Sequence, residues 1–205
     1  SRLSIISVPA RCITTKTQKQ IYNKTTTHTT IHSYTYRYIQ IPPTPSPTFS
    51  ITNMRWTTVS TIGKKPTPRC QHTATWLNHK SHLVVIAGQS ETVTLKDVWS
   101  LDCSIQPPSW KEEKIIEHSS VQLQRSQHTA VEYKGKIYIF GGQDLNEGAS
   151  LTKKQSNFLE LSYSKRNVND EGHYDCASFS NFKGTMPLER YGHSASRVKD
   201  KMFLF

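Results

Sequence analysis

One pattern occurs three times in the chain and constrains its fold more than any other feature. The copies begin at Arg69, Arg125 and Arg190, and each reads Arg-x-x-His, then Thr or Ser, then Ala, a polar turn and an apolar run. The later two copies align without a gap from His128 to Phe140 and from His193 to Phe205. Such self-similarity is the signature of a repeat protein. Because the third copy ends before a glycine pair, we interpret the sequence as part of a longer repeat array.

Alternation of polar and apolar residues within each copy predicts strands. We expect four strands between His72 and Ile116. In the second copy a hairpin turns at Lys134-Gly135, and the next strand is expected to place Phe158 where Trp99 stands in the first copy. The fourth strand of that copy is expected between Cys176 and Phe182, where no Trp marks it. The prediction is therefore four strands per repeat.

The predicted four strands per unit and a repeat length of roughly 50 residues resemble the kelch repeat, which forms one blade of a β-propeller. The resemblance implies an all-β fold: a kelch-type β-propeller fragment of about two four-stranded blades plus the start of a third, over residues 54–205. It departs from the family where Ala87 replaces the first glycine of a pair. The residues that carry the resemblance are Arg69, His72, Gly88, Trp99 and Trp110; Arg125, His128, Gly141, Gly142 and Phe158; and Arg190 and His193.

Residues 1–53 differ from the rest of the chain. They are rich in Thr, Ser and Tyr and end in a proline-rich stretch, and no Asp or Glu precedes Glu91. We predict a poorly ordered leader, with one strand in the alternating segment around Tyr36. A basic, hydroxyl-rich leader without acids is also typical of a transit peptide. A further hypothesis is that Met54 is the first residue of the natural protein and that 1–53 do not belong to it.

In kelch propellers, as the resemblance implies, one face is formed by the loops from fourth to first strand and from second to third strand, and it binds a protein or peptide. These loops correspond to residues 62–71, 89–96, 117–127, 143–156 and 183–192. The partner-binding candidates are Lys64, Lys65, Gln71, Gln127 and Tyr191. The alternative for each is an ordinary solvated loop residue, because loops are polar in general.

The repeated histidines His72, His128 and His193 could be metal ligands, but they recur once per blade. Repetition favours equivalent structural roles in different blades. We therefore expect hydrogen-bonded structural histidines, and repeated arginines that join adjacent turns through their several donors. We predict no metal, no cofactor and no catalytic residue.

The predicted function is that of a non-enzymatic protein-interaction module, a scaffold or a substrate receptor of the kind found in ubiquitin ligases. The alternative is a galactose-oxidase-like propeller enzyme whose site lies mostly in other blades. We expect a protein or peptide partner, no nucleic acid and no membrane, because nucleic-acid-binding motifs and apolar spans are absent from the sequence. Widely spaced cysteines favour a reduced, cytoplasmic chain, with the nucleus as a second location and the mitochondrion if the leader is a transit peptide.

Overall fold

A computed structural model of the chain describes the backbone of four strands in the leader and residues 52–118, 121–146, 153–154, 158–165, 167, 170–178 and 182–205. These described parts contain strands and no helix, which confirms the all-β prediction. The strands are β1 (Ser4–Ile6), β2 (Cys12–Lys16), β3 (Tyr34–Tyr38), β4 (Ser46–Ser50), β5 (Arg55–Val59), β6 (Thr73–Leu77), β7 (His82–Gln89), β8 (Thr94–Asp102), β9 (Ser109–Glu113), β10 (Ile115–Glu117), β11 (Thr129–Tyr133), β12 (Lys136–Phe140), β13 (Gln143–Asp144), β14 (Lys153–Lys154), β15 (Leu159–Ser164), β16 (His173–Ser178), β17 (Ala195–Val198) and β18 (Lys201–Leu204).

Two consecutive sheets correspond to the first two sequence copies. Blade 1 contains β6, β7, β8 and β9, all antiparallel and adjacent in chain order. Blade 2 contains β11, β12, β15 and β16 in the same arrangement, and β10 pairs in parallel with β16. The hairpin of β17 and β18 repeats the first two strands of a blade. The prediction of two four-stranded blades and the start of a third is confirmed.

Both faces of blade 1 carry apolar side chains, and the central residues of β7 are buried on each side of the sheet. Strand side chains alternate between the two faces of a sheet, and every residue from Leu83 to Ala87 is buried. One face carries Leu83, Val85, Trp99, Leu101 and Trp110, and the other packs Val84, Ile86 and Val98 against Ile137, Ile139, Leu159 and Leu161 of blade 2. The larger core therefore lies between blades, where twisted sheets face each other.

The expected match between Phe158 and Trp99 is wrong by one residue. Val85 pairs with Trp99 in blade 1, whereas its counterpart Ile139 pairs with Leu159 in blade 2. A shift of one residue moves a side chain to the opposite face of a sheet. Phe158 accordingly packs against the rings of Tyr138, Phe140 and Phe182, at centroid distances of 5.9, 6.1 and 5.8 Å.

The fourth strand of blade 2 also lies earlier than predicted, at His173–Ser178. Cys176 stands opposite Leu161 as Trp110 stands opposite Leu101, so a buried cysteine occupies the position of the missing Trp. Tyr174, which is buried on the same strand, supplies aromatic area instead and meets the Tyr163 ring edge-on. A strand without Trp can therefore complete the blade.

The segment before blade 1 forms separate strands. β5, which contains Trp56, pairs with β4, and β4 also pairs with β1. After β5 the chain returns to blade 1, where the backbone N–H of Trp110 donates to the carbonyl of Ile62 at 2.9 Å. The strand predicted around Tyr36 is confirmed as β3, which pairs with β2. The predicted disorder of the leader concerns residues that lie largely outside the described ones.

Adjacent blades are joined by repeated backbone hydrogen bonds, which we call the blade joint. The N–H of Gly88 donates to the carbonyl of Arg125 at 2.9 Å, and the N–H of Gly142 donates to the carbonyl of Arg190 at 3.0 Å. Beside them, the N–H of Gln127 donates to the carbonyl of Gln71 at 3.0 Å. Each bond runs between consecutive sequence copies, so the repeat pattern encodes the contact between blades.

The second glycine of each pair lies against the entry loop of its own blade, where a side chain would not fit. Gly142 has φ +96°, and a Cβ placed there would lie 2.8 Å from the carbonyl oxygen of Ser126. Gly88 is equally constrained, since a Cβ would lie 2.7 Å from the Cβ of His72. The first position is less demanding in blade 1, where Ala87 adopts φ +49° and is fully buried. This tolerance is specific to blade 1, because a Cβ on Gly141 of blade 2 would clash with the carbonyl oxygen of Arg190.

Two of the repeated arginines, Arg69 and Arg125, are buried and bind main-chain carbonyls. Arg69 Nη1 donates to the carbonyl of Ala87 at 3.0 Å, and Arg125 Nη1 donates to that of Gly141 at 2.9 Å. Asp97 accepts from both Nη atoms of Arg69 at 2.6 and 2.7 Å and from the indole N–H of Trp99 at 2.6 Å. Planar guanidinium groups favour such bidentate contacts. Each arginine thereby closes the end of the second strand of its own blade.

We expect Gly142→Ala to destabilise the propeller by about 3 kcal/mol, because the added Cβ meets the Ser126 carbonyl and the φ angle is unfavourable for an L-residue. Gly184→Ala is the matched control: Gly184 has φ +94° but nothing within 4 Å of its added Cβ. The control should lose only the conformational part, about 1 kcal/mol. Urea unfolding of the full-length protein measures both losses. Equal losses in the two variants would contradict a steric limit at Gly142.

We expect Asp97→Ala to cost about 3 kcal/mol of unfolding free energy, because removal of one partner of a buried ion pair leaves the other charge uncompensated. Arg69, the remaining partner, has a fully buried side chain. Asp200→Ala, in the exposed turn between β17 and β18, is the control and should change the free energy by less than about 0.5 kcal/mol. The same urea titration reports both values. A loss below about 1 kcal/mol for Asp97→Ala would show that the pair is not needed.

Candidate functional site

The predicted binding loops of each blade lie next to each other. The backbones of Cys70 and Gln89 exchange two hydrogen bonds, at 2.9 and 2.8 Å, and those of Ser126 and Gln143 do the same, at 2.8 and 2.9 Å. Each pair ties the loop that enters the first strand to the loop that leaves the second strand. We call the surface formed by these loops the loop face. Part of the predicted loop 143–156 lies outside the described residues.

A cleft of about 220 Å³ opens on the loop face where blades 1 and 2 meet. Three loops contribute to it, two from between second and third strands and one from between the blades. All of its lining residues have polar or charged side chains: Lys96, Glu117, Gln122, Gln124, Asp144 and Asn146.

The wall of the cleft is fixed by short hydrogen bonds around Thr94. The Asn146 amide accepts from the Thr94 backbone N–H at 2.7 Å and donates to its carbonyl at 3.0 Å. The Leu145 N–H donates to the Thr94 hydroxyl at 3.0 Å. Asp144 Oδ1 accepts from the Asn146 N–H at 3.0 Å. Because Asn146 replaces a strand partner for Thr94, the loops of the two blades are held in one geometry before any partner binds.

A buried positive charge lies next to the cleft residue Gln122. Arg125 Nη2 donates to the carbonyl of Gln122 at 2.7 Å, and the Arg125 side chain is inaccessible to solvent. Burial lowers the pKa of Arg125 to about 10, so the guanidinium stays charged at neutral pH. With Lys96 it balances the carboxylates of Glu117 and Asp144. The cleft therefore has mixed charge and several amide groups, which suits hydrogen bonding to a polypeptide backbone and to polar side chains.

Two of the candidate residues, Lys64 and Lys65, lie beside the cleft-bearing blade rather than in the cleft. Lys64 Nζ forms an ion pair with Glu112 at 2.8 Å and lies 5.4 Å from the ring centre of Trp99. Both lysines are exposed. Such surface ion pairs contribute little stability, so Lys64 remains available for a partner.

The other three candidates follow the repeated arginines. Gln71 and Gln127 adopt the left-handed conformation, with φ +57° and +58°, and their backbones form the blade joint. Gly192 occupies the equivalent position in the third copy, with φ +68°, and its N–H donates to the carbonyl of Gln127. Tyr191 is 45% exposed. The structure thus brings the two glutamines together through their main chains and leaves Tyr191 on the surface, and none of the three lines the cleft.

The repeated histidines hold hydroxyl groups of the preceding blade. The Thr73 hydroxyl lies 2.9 Å from His128 Nε2, and the Thr129 hydroxyl lies 2.7 Å from His193 Nε2. Within the described residues, no group of three His, Cys, Asp or Glu side chains is arranged to hold a metal ion. The histidines are therefore placed as repeated connections between blades.

Cysteine chemistry differs in part from the expectation of a reduced chain. Cys70 is disulfide-bonded, whereas Cys103 and Cys176 carry free thiols. Burial raises the pKa of Cys176 to about 12, so this thiol is protonated and unreactive at neutral pH. In the part of the chain that the structure describes, no helix has the length and apolar character needed to cross a membrane.

Comparisons with known proteins agree with the blade architecture. Residues 46–169, more than half of the chain, match the KLHDC2/KLHL20/DRC7 Kelch-repeats domain. Host cell factor 2 of Homo sapiens is 29% identical over 159 residues, which are 73% of this chain and 19% of that protein. Adagio-like protein 3 of Oryza sativa subsp. japonica is 29% identical over 145 residues, which are 70% of this chain and 20% of that protein.

A third relative, Host cell factor 1 of Homo sapiens, is 36% identical over 91 residues, or 42% of this chain and 4% of that protein. The chain thus spans a fifth or less of the length of these relatives. The family match covers β4 to β15, which includes blade 1, its joint to blade 2 and three of the four main strands of blade 2. The chain belongs to the kelch-repeat family.

Proposed function

We propose that the protein is an interaction module that captures a polypeptide partner on its loop face, with the polar cleft as the central contact. The observation that carries the proposal is the cleft itself, which two blades build from three loops and which is fixed by the contacts of Asn146 with Thr94. Kelch-repeat relatives suggest a protein-interaction role in general. The proposal adds the place of contact.

The size of the cleft favours a peptide segment over a small-molecule substrate. Sites for drug-sized ligands occupy about 300–1,000 Å³, whereas this cleft occupies about 220 Å³. That volume holds one or two side chains. The remaining contact area must come from the surrounding loops, which is typical of a protein surface that binds an extended segment.

Exposed polar side chains at the cleft are the strongest candidates for direct contact. Lys96 and Gln122 line it and are exposed, so a partner can reach both. Lys65 and Tyr191 are exposed elsewhere on the predicted binding loops and can extend the contact. Gln127 contributes less in this proposal, because its main chain already serves the blade joint.

A finer proposal is that the captured partner is a substrate presented to a ubiquitin ligase. The kelch fold supports capture, and a ligase role requires in addition an adaptor or a bound cullin. Co-purification of a cullin with the full-length protein, and longer partner half-life when the protein is depleted, would support the finer role. Partner capture without either result would leave the module a scaffold.

We expect the double variant Lys96→Ala, Gln122→Ala to weaken partner binding at least tenfold, which corresponds to about 1.4 kcal/mol. The reason is that both side chains leave the cleft wall while the hydrogen bonds around Thr94 remain. Partners are first identified by quantitative co-purification with the full-length protein from its native cells. Titration calorimetry with the purified partner then measures the affinity of each variant.

Lys199→Ala is the matched control for this experiment. Lys199 is exposed in the turn between β17 and β18, away from the loop face, and should leave the affinity unchanged. Charge reversal at Lys64 and Lys65 tests the wider loop face and should reduce the affinity further. Unchanged binding in the double variant, with normal folding, would remove the cleft from the binding site.

A further inference from the structure

The series His72, His128 and His193 connects the blades through side chains as well as through the main chain. Each histidine precedes a hydroxyl residue, and the hydroxyls of Thr73 and Thr129 reach the histidine of the next copy. Thr73 contacts His128 Nε2 and Thr129 contacts His193 Nε2, at 2.9 and 2.7 Å. The series therefore runs across two consecutive blade boundaries.

The other imidazole nitrogen has no acceptor. Nδ1 is buried in His72, His128 and His193, and among the described residues it has no hydrogen-bond partner in any of the three. His128 is 5% exposed, and a Cβ on Gly142 would touch its Cβ at 3.0 Å. A neutral imidazole fits this site with Nε2 toward the hydroxyl and Nδ1 as an unprotonated nitrogen. Protonation would place a second N–H where nothing accepts it.

Neighbouring cationic groups also disfavour protonation of these histidines. Burial lowers the pKa of His128 well below its ordinary value, and Arg125 on its own loop, His72 on the side of blade 1 and His193 on the side of the third copy lower it further. Burial and then Arg69 lower the pKa of His72 to about 4, and burial and then Arg190 lower the pKa of His193. All these neighbours are cations when charged. A proton on His128 would therefore be repelled by Arg125, and by His72 and His193 when they are protonated.

We propose that this histidine series is a pH-operated connection between blades, closed by neutral imidazoles and opened when they are protonated. The hydroxyl contact, the buried Nδ1 atoms and the adjacent arginines carry the proposal. Opening would separate Thr73 from His128 and expose the neighbouring blade joint of Gln71 and Gln127. The connection thus responds to mild acid, while the apolar core between the blades does not titrate.

The direction of the pH effect follows from the lowered pKa values. The open or unfolded histidine takes up its proton near pH 6.5, whereas closed His72 does so near pH 4. The closed connection is therefore fully favoured above about pH 6.5 and loses stability as the pH falls toward 4. Between pH 8 and pH 5 these two pKa values predict an increase of about 30-fold in the opening equilibrium for His72 alone.

Native-state hydrogen exchange of the full-length protein tests the proposal. Amides in residues 84–90 and 125–133 span the blade joint, and their opening, corrected for intrinsic exchange, should increase from pH 8 to pH 5 by at least tenfold more than the roughly 30-fold of His72 alone, because neutral His128 also becomes unfavourable relative to the open state. In His128→Gln, which keeps an amide group near Thr73 but cannot titrate, the increase should be at least tenfold smaller. His79→Gln, at an exposed turn histidine, is the matched control and should retain the wild-type increase.

A measurement on the unmodified protein keeps the test valid if His128→Gln does not fold. Exchange of the imidazole Cε1 hydrogen, followed by mass spectrometry, reports the pKa of each histidine. His128 should remain neutral at pH 5. A His128 pKa near 6.5, or an equal pH response in wild type and His128→Gln, would overturn the proposal.

Discussion

The hydrogen bond from the second glycine of one blade to the arginine carbonyl of the next is the contact on which the rest of the structure depends. Arg125 accepts this bond from Gly88 and, through Nη1, donates to the carbonyl of Gly141 in its own blade. One residue thus links the second strands of two blades. The two donor glycines, Gly88 and Gly142, are also confined within their own blades, where an added Cβ would meet the loop that enters the first strand.

The repeated residues at the blade joint have structural roles, whereas the loop residues beyond them are available to bind a partner. The repeated arginine, histidine and glycine residues form the contacts between blades, so they serve the fold rather than a binding partner. The loops beyond them carry different residues in each copy, and these residues form the cleft. Asn146 shows how a loop residue can still be structural, since its amide replaces a strand partner of Thr94. Lys96 and Gln122, by contrast, are exposed at the cleft and accessible to a partner.

The repeat predicted the blades and their order because its period reflects a repeated physical contact. Two details of blade 2 could not be predicted from the sequence. Phe158 and Leu159 are adjacent apolar residues, so alternation alone could not decide which one faces blade 1, and pairing with Ile139 decides it. The fourth strand of blade 2 uses Tyr174 and Cys176 in place of a Trp. The cleft was not predicted because its residues are ordinary polar residues from three loops that only the fold brings together.

The same burial that makes the joint rigid makes its histidines poor bases. Arg125, which is hydrogen-bonded to the cleft residue Gln122, stays charged at neutral pH, and this charge opposes a proton on His128. A neutral His128 can then face the Thr73 hydroxyl without a buried N–H lacking an acceptor. Arg125 therefore stabilises the closed connection in two ways. Its main-chain carbonyl accepts the hydrogen bond from Gly88, and the positive charge of its guanidinium disfavours a proton on His128. Acid weakens only the imidazole part, because the guanidinium and the glycine N–H do not titrate in that range.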